Sequence, residues 1–344
     1  YNARFKPEIS NSIEVGLDWR MFKQRFGLDL AFYNNITRNQ ILDVPMDQTT
    51  GYTKATMNSG KVRNRGIELQ LDGTPVKTKN FTWNSTFTWA KNYNKVLSLA
   101  AGLTDGQTIA YTGGTNCALI AKVGGSIGDI YGYKLKRAPD GQVVWKDGIT
   151  ARTTEFEYVG NAYPAWKAGF SNEFSYKNFR VSILFDGQWG GIVYSQTHHK
   201  MTEHGTLKHT LKYRENPNFE VVGEGVMLDE RGQYVPNNVP ISVSKYYADY
   251  WRRTNVETNS FDASFLKLRE ARIEYTIPSA GLNKIGIERL TLALYGRNLA
   301  MWTKDFPVYD PEVATLNNGT IVPGSEMGQL PSTRTMGFNL TLKF

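Results

Sequence analysis

The sequence predicts an all-β chain laid out as a transmembrane antiparallel β-barrel, and three observations carry that expectation. Apolar residues recur at every second position over stretches of roughly ten residues, the length a tilted membrane strand needs. Short turns and long polar segments alternate between those stretches. The positions opposite the apolar ones carry charged and amide side chains, which suit a wet lumen better than a dry core.

The last stretch, RTMGFNLTLKF (334–344), shows the period most cleanly. Counting back from Phe344, the residues Leu342, Leu340, Phe338 and Met336 form one face, and Lys343, Thr341, Asn339, Gly337 and Thr335 the other. Taken from the start, the chain repeats this strand. Ile13, Val15, Leu17, Trp19 and Met21 alternate with Glu14, Gly16, Asp18 and Arg20, and after a Lys23-Gln24-Arg25 turn Phe26, Leu28, Leu30 and Phe32 return, fading into polar residues 34–40. Ile67, Leu69 and Leu71 come next, then a turn over 74–80, then Phe81, Trp83, Phe87 and Trp89. A tight hairpin at Lys177-Asn178 joins Ala168, Phe170 and Phe174 to Phe179, Val181, Ile183 and Phe185. Ala271, Ile273, Tyr275 and Ile277 follow, with Leu266 and Leu268 on the wrong parity, so a bulge is expected near Arg269. Leu290, Leu292 and Leu294 precede the terminal strand, which makes about nine strands in all.

Aromatic residues gather at the short-turn ends as an interfacial girdle would: Trp19, Phe22, Phe26, Phe81, Trp83, Tyr176, Phe179, Tyr275 and Phe344. The opposite faces carry Asp29, Glu68, Asp72, Glu173, Arg180 and Asp186. With Phe344 at the periplasmic side, every short turn falls on that side if 94–163 is one long external excursion. The segment GDIYGYKLK (128–136) and the Asp140-Gly141 turn are then small strands inside a loop. An odd number of antiparallel strands cannot close on itself. Residues 1–344 are therefore expected to be the C-terminal part of a larger barrel.

Composition narrows the classes. Aromatic residues make up 13% of the chain, led by 19 Tyr and 17 Phe, which fit a pleated surface. No apolar run reaches the roughly 18 residues of a membrane helix, a test that is blind to barrels. The net charge of +8 is spread among acidic residues without basic runs, so no nucleic-acid partner is expected. One Cys and four His exclude a disulfide scaffold and a cysteine zinc site.

Six ordered segments resemble one family. FKPEISNSIEVGLD (5–18) with FYNNITRNQI (32–41), NRGIELQLDGTPVK (64–77), SFDASFLKLREARIEYTIP (260–278), GRNLAMWTK (296–304), DPE (310–312) and the terminal strand resemble the C-terminal half of SusC-like TonB-dependent transporters, outer-membrane nutrient importers of Bacteroidetes. The loops 94–161 and 192–259 are individual. The resemblance implies a 22-stranded barrel in outer-membrane lipid, filled by a plug that this chain lacks, along with the N-terminal barrel half. It further implies a SusD-like surface lipoprotein over the mouth and TonB-ExbB-ExbD driving import of an oligosaccharide or glycan, or of a peptide, with no cofactor and no catalysis. Met336, Phe338, Leu340, Leu342 and Phe344 would be the signal read by the barrel-assembly machinery. Two alternatives stand beside it: a siderophore or cobalamin TonB-dependent receptor, and a soluble secreted carbohydrate-binding β-sandwich.

Flat aromatic rings edged by polar groups bind sugars, so Trp145, Tyr194, Tyr246, Tyr247 and Trp302 in the long segments are the expected substrate contacts, with loop packing as the competing role. Tyr250 and Trp251 lie in YYADYWRR, which resembles a family segment leading into the barrel, and are expected to be structural. The histidines His198, His199, His204 and His209 share one loop stretch whose spacing fits no metal rule, so no metal is expected. Asp310, Glu312 and Asn317 lack the periodicity of a calcium loop and read as a turn. No nucleophile with a base can be argued for, so no catalytic residue is assigned.

Overall fold

The structure, a computed structural model, describes residues 5–46, 48–52, 54–58, 60–100, 106–112, 116–278, 286–317 and 320–344. Nine strands form one antiparallel sheet in chain order: β1 Ile9–Met21, β2 Phe26–Arg38, β3 Gly60–Lys77, β4 Phe81–Leu99, β5 Trp166–Tyr176, β6 Phe179–Trp189, β7 Phe265–Ile277, β8 Arg289–Thr303 and β9 Thr335–Lys343. β1 and β9 are its two edges, so the sheet is an open barrel wall.

Register makes the two faces chemically distinct. One row runs Leu17, Leu30, Leu69, Trp89, Ala168 across β1 to β5, and Ile273, Leu294, Phe338 continue the same face at β7 to β9. This apolar face is open: Ile13 is 72% exposed and Phe338 78%. Among the described residues no second sheet covers it, which removes the sandwich alternative. The other row at that level reads Asp18, Asp29, Gln70, Thr88, Gly169, Asp186, Lys267. Only a sheet bounded by hydrocarbon on one side and water on the other fits that contrast.

The expected bulge is present. Leu184 pairs with Glu270 but Phe185 with Leu268, leaving Arg269 as the extra residue on β7. The bulge lets Leu266 and Leu268 share the outward face with Ala271 and Ile273, which a regular strand of this sequence cannot do. It also turns Lys267, Arg269 and Glu270 inward together. The tight hairpin holds as well, with Lys177 in the left-handed region at φ 51°.

Strand lengths depart from expectation. β3 and β4 run 18 and 19 residues, well past the apolar alternation, because the largely polar stretches 60–66 and 90–95 and the residues beyond them to Leu99 continue the ladder. Trp302, read as a loop residue, lies within β8 opposite Leu266 on the outward face.

Most of the buried core lies above the wall, in the long connections. Segments 107–112, 117–121, 129–132 and 157–161 form a four-stranded sheet inside the expected excursion. Val144–Lys146 pairs in parallel with Val226–Leu228, and Ile192–Ser195 with Ser325–Glu326, so three connections merge into one body. Two short helices, α1 Gln196–Glu203 and α2 Val243–Tyr250, are capped by Ser195 and Ser242, each accepting a backbone N–H.

The two faces should respond oppositely to charge. Leu30→Arg, mid-row on the outward face, should destabilise the intact folded barrel by about 2–4 kcal/mol in lipid, whereas Gln70→Arg on the inner face should leave stability nearly unchanged. Denaturant titration in bilayers checks this, and equal losses would overturn the facing.

Candidate functional site

The inner face is a ladder of paired polar side chains. Arg20 bridges Asp18 at 2.8 Å and Asp29 at 2.9 Å, Asp72 accepts from Gln70 and Thr86 at 2.8 Å, and Arg297 meets Glu270 at 2.8 Å. Small residues Gly16, Ala31, Ala90 and Gly169 leave a 620 Å³ depression among Asp18, Asp29, Glu68, Lys167 and Asp186. Such a wall offers hydrogen bonds of both kinds.

Above it, the β8–β9 connection is clamped to the wall. Lys267 is only 2% exposed, and its ammonium donates to both oxygens of Asp310 at 2.7 and 2.8 Å and to Glu312. Arg269 spans Asp186 at 2.7 Å and Glu312 at 2.6 Å. Burial, the largest single influence, would raise the Asp310 carboxyl, yet the bonds from Lys267, Ser332 and the Glu312 N–H, with the Lys267 charge, together hold it below the usual carboxylate range. The Asp310 turn is formed, since its side chain accepts the Glu312 N–H at 3.0 Å. The side chain of Asn317 lies outside the described residues. The sequence contained both halves of this clamp, KLR and DPE, but not their pairing.

A second buried carboxylate ties the loops together. Glu326 is fully buried and accepts from Ser195 and Thr197 at 2.5 Å and from the Tyr309 hydroxyl at 2.6 Å. Burial and that bond push the Tyr309 phenol up to about 12.

Of the five expected substrate residues, Trp145, Tyr246 and Tyr247 cluster together, while Tyr194 and Trp302 lie elsewhere. Trp145 is 1% exposed, its ring stacked on Tyr246 at 6.1 Å and its indole N–H donating to the Glu224 carbonyl. Tyr247 is buried beside it, donating to the carbonyls of His209 and Lys212. Tyr246 is half-buried and touches Tyr213, Tyr247, Tyr250 and Trp251. Tyr194 sits fully buried in a separate core with Cys117, Leu119, Ile130, Val256 and Val322. Trp302 faces away from the lumen, so the expectation of ligand contact is corrected there: strand parity sets it beside Leu266, near Trp166 and Trp189.

Three of the four histidines serve the loop core, and His204 is exposed. His198 pairs with the Asn259 amide oxygen at 2.9 Å and stacks on His209 at 5.3 Å, and His199 meets the Trp251 carbonyl at 2.8 Å. Burial drives His198 down to about 4 and also lowers His199 and His209.

An open wall of nine meandering strands with an apolar outer face, a polar inner face and a merged loop body is matched by a family model described as TonB dependent receptor-like, beta-barrel, over residues 1–299. The chain belongs to that family. TonB-dependent receptors lie in the outer membrane, and so does this chain. It is 29% identical to TonB-dependent receptor P26 of Formosa agariphila, a match covering all of this chain and 35% of that protein. It is 24% identical to TonB-dependent receptor SusC of Bacteroides thetaiotaomicron over 56% of this chain and 20% of SusC. In fold it is similar to the RagAB peptide transporter, with a TM-score of 0.68 and 20% identity, covering 98% of this chain and 35% of that one. The chain thus spans about a third of the length of the relatives it matches.

Two outcomes follow for this TonB-dependent receptor wall. Lys267→Met strands the buried Asp310 carboxylate, and the clamp should weaken by about 3–5 kcal/mol, seen as faster hydrogen exchange over 304–317. Adding Asp310→Asn should restore most of the protection, and no rescue would show that the clamp is not electrostatic. Because His198 is neutral when folded, its contribution is complete above its ordinary pKa of 6.5 and fades as pH falls toward about 4. Exchange protection of 196–211 should drop across that window, and a flat profile would contradict it.

Proposed function

We propose that this chain supplies barrel wall and outer loops to a TonB-dependent importer of a large polar nutrient, an oligosaccharide in the first place. Membership of the receptor family carries the reading, and the ladder of carboxylates, amides and hydroxyls on the inner wall supports it. Hydroxyl-rich ligands exchange water for such groups at little net cost, which suits passage rather than tight retention. A peptide is the second reading, favoured by the likeness to a protein described as a peptide transporter.

The partners proposed are a SusD-like surface lipoprotein over the loops and TonB-ExbB-ExbD acting through segments outside this chain. Neither catalysis nor a cofactor is part of the proposal. Tyr246 is the proposed ring at the loop surface, while Trp145, Tyr194 and Tyr247 hold the loops from beneath. The row Met336, Phe338, Leu340, Leu342 and Phe344, all exposed on the outward face, is proposed as the strand that the assembly machinery reads.

Purification of the intact protein from outer membranes in mild detergent, followed by mass spectrometry, should yield a surface lipoprotein at near equal amount. Uptake of fluorescent oligosaccharides by cells should be lost on deletion and reduced severalfold by Tyr246→Ala. Recovery without any lipoprotein, with uptake of iron chelates instead, would replace this reading with the siderophore one.

A further inference from the structure

The upper halves of β2, β3 and β4 have two faces with opposite partners. Inward, Val62 and Val96 pack on Ala121, and Asn94 accepts from Ser126 and from the Ile127 N–H, so the loop body docks there. Outward, the alternate residues are Arg38, Lys61, Arg63, Arg65, Lys91 and Lys95, with Tyr93 among them. Register sets them close together: Arg63 pairs with Lys95 and Ile36, Lys61 with Arg38, and Arg65 with Tyr93. Arg65 and Lys91 both lie over the Tyr93 ring, at 5.8 and 4.8 Å.

None of the six cations takes part in an ion pair with a described acidic residue. That is unusual on a chain whose other strand cations are widely bridged, as Arg20, Arg269, Arg272 and Arg297 are. Like charges on neighbouring strands repel, so such a cluster persists where an anion is supplied from outside.

Height identifies the anion. From Phe81 at the short-turn end to Lys91 is ten residue steps, about 33 Å along the strand and about 25 Å along the membrane normal at a tilt near 40°. That equals the thickness of an apolar band, so Lys91 marks its outer limit and the other five cations stand at headgroup level. Trp166, Trp189 and Trp302 mark the same limit on the neighbouring strands.

We propose that Arg38, Lys61, Arg63, Arg65, Lys91 and Lys95 form a site on the outward wall for the phosphate groups of an anionic lipid of the outer leaflet. Guanidinium groups bind phosphate in two-pronged fashion, and Tyr93 holds two of the cations in place.

The test uses the intact protein in neutral detergent with a phosphate-bearing outer-leaflet glycolipid, its enzymatically dephosphorylated form, and inorganic phosphate as probes, read by native mass spectrometry. Wild type should retain the phosphorylated lipid at least about tenfold better than the dephosphorylated one. K61Q/R63Q/R65Q/K95Q should lose that preference, and the charge-keeping K61R/R63K/R65K/K95R should keep it. Equal retention of both lipids by wild type overturns the proposal even if the glutamine variant fails to fold. It is also overturned if inorganic phosphate at millimolar level displaces the lipid fully, or if the glutamine variant keeps the lipid and loses a co-purifying protein.

Discussion

Backbone pairing in hydrocarbon is the constraint on which the rest of this structure depends. No water is available there to an unpaired N–H or C=O, so a wall must pair every strand and leave no interior gap in its ladder. A strict period of two then assigns each side chain to lipid or lumen, and a slip by one residue would reverse every assignment. The bulge at Arg269 is the one place where β7 breaks the period. It does so without exposing charge to lipid, because the extra side chain turns inward to Asp186 and Glu312.

The loops obey a different physics. They are water-facing, and they hold together by burial of aromatic rings and by a few enclosed carboxylates, as a soluble domain would. Asp310 and Glu326 are each nearly inaccessible and each surrounded by donors, so removing one partner costs far more than the pair contributes over an apolar substitute. Such groups fix one arrangement of the loops. A lumen wall gains from that: long connections such as 100–165 and 190–264 would otherwise sample many conformations across the mouth.

This division explains what the sequence made legible. Period two depends on neighbours along the chain, so the nine strands, their order, the hairpin at Lys177 and the bulge could all be read directly. The aromatic residues of the loops could not, since the Trp145–Tyr246 stack joins positions a hundred residues apart and sequence gives no sign of which face is covered. Trp302 was misassigned for a related reason. Asn298, left-handed at φ 51°, interrupts the alternation, and the strand resumes beyond it to Thr303. The upper reaches of β3 and β4 were missed because their outward residues are basic rather than apolar, and an apolar count stops where the charges begin.

Those upper reaches show why the strands are longer than the bilayer requires. A strand of about ten residues crosses the apolar band, but β3 and β4 continue for almost as long again. Continued pairing above the band keeps each inward side chain at a fixed height, so that Val62, Asn94 and Val96 present a rigid edge on which the loop body docks. The same pairing fixes the alternate side chains on the outside, where an apolar residue would meet headgroups and water. Basic residues there lose nothing by exposure and gain from any anion nearby, while acidic residues would be repelled by the same surface. One ladder of hydrogen bonds thus serves two solvents, and the sign of the charge on its outer side follows from the surface it passes through.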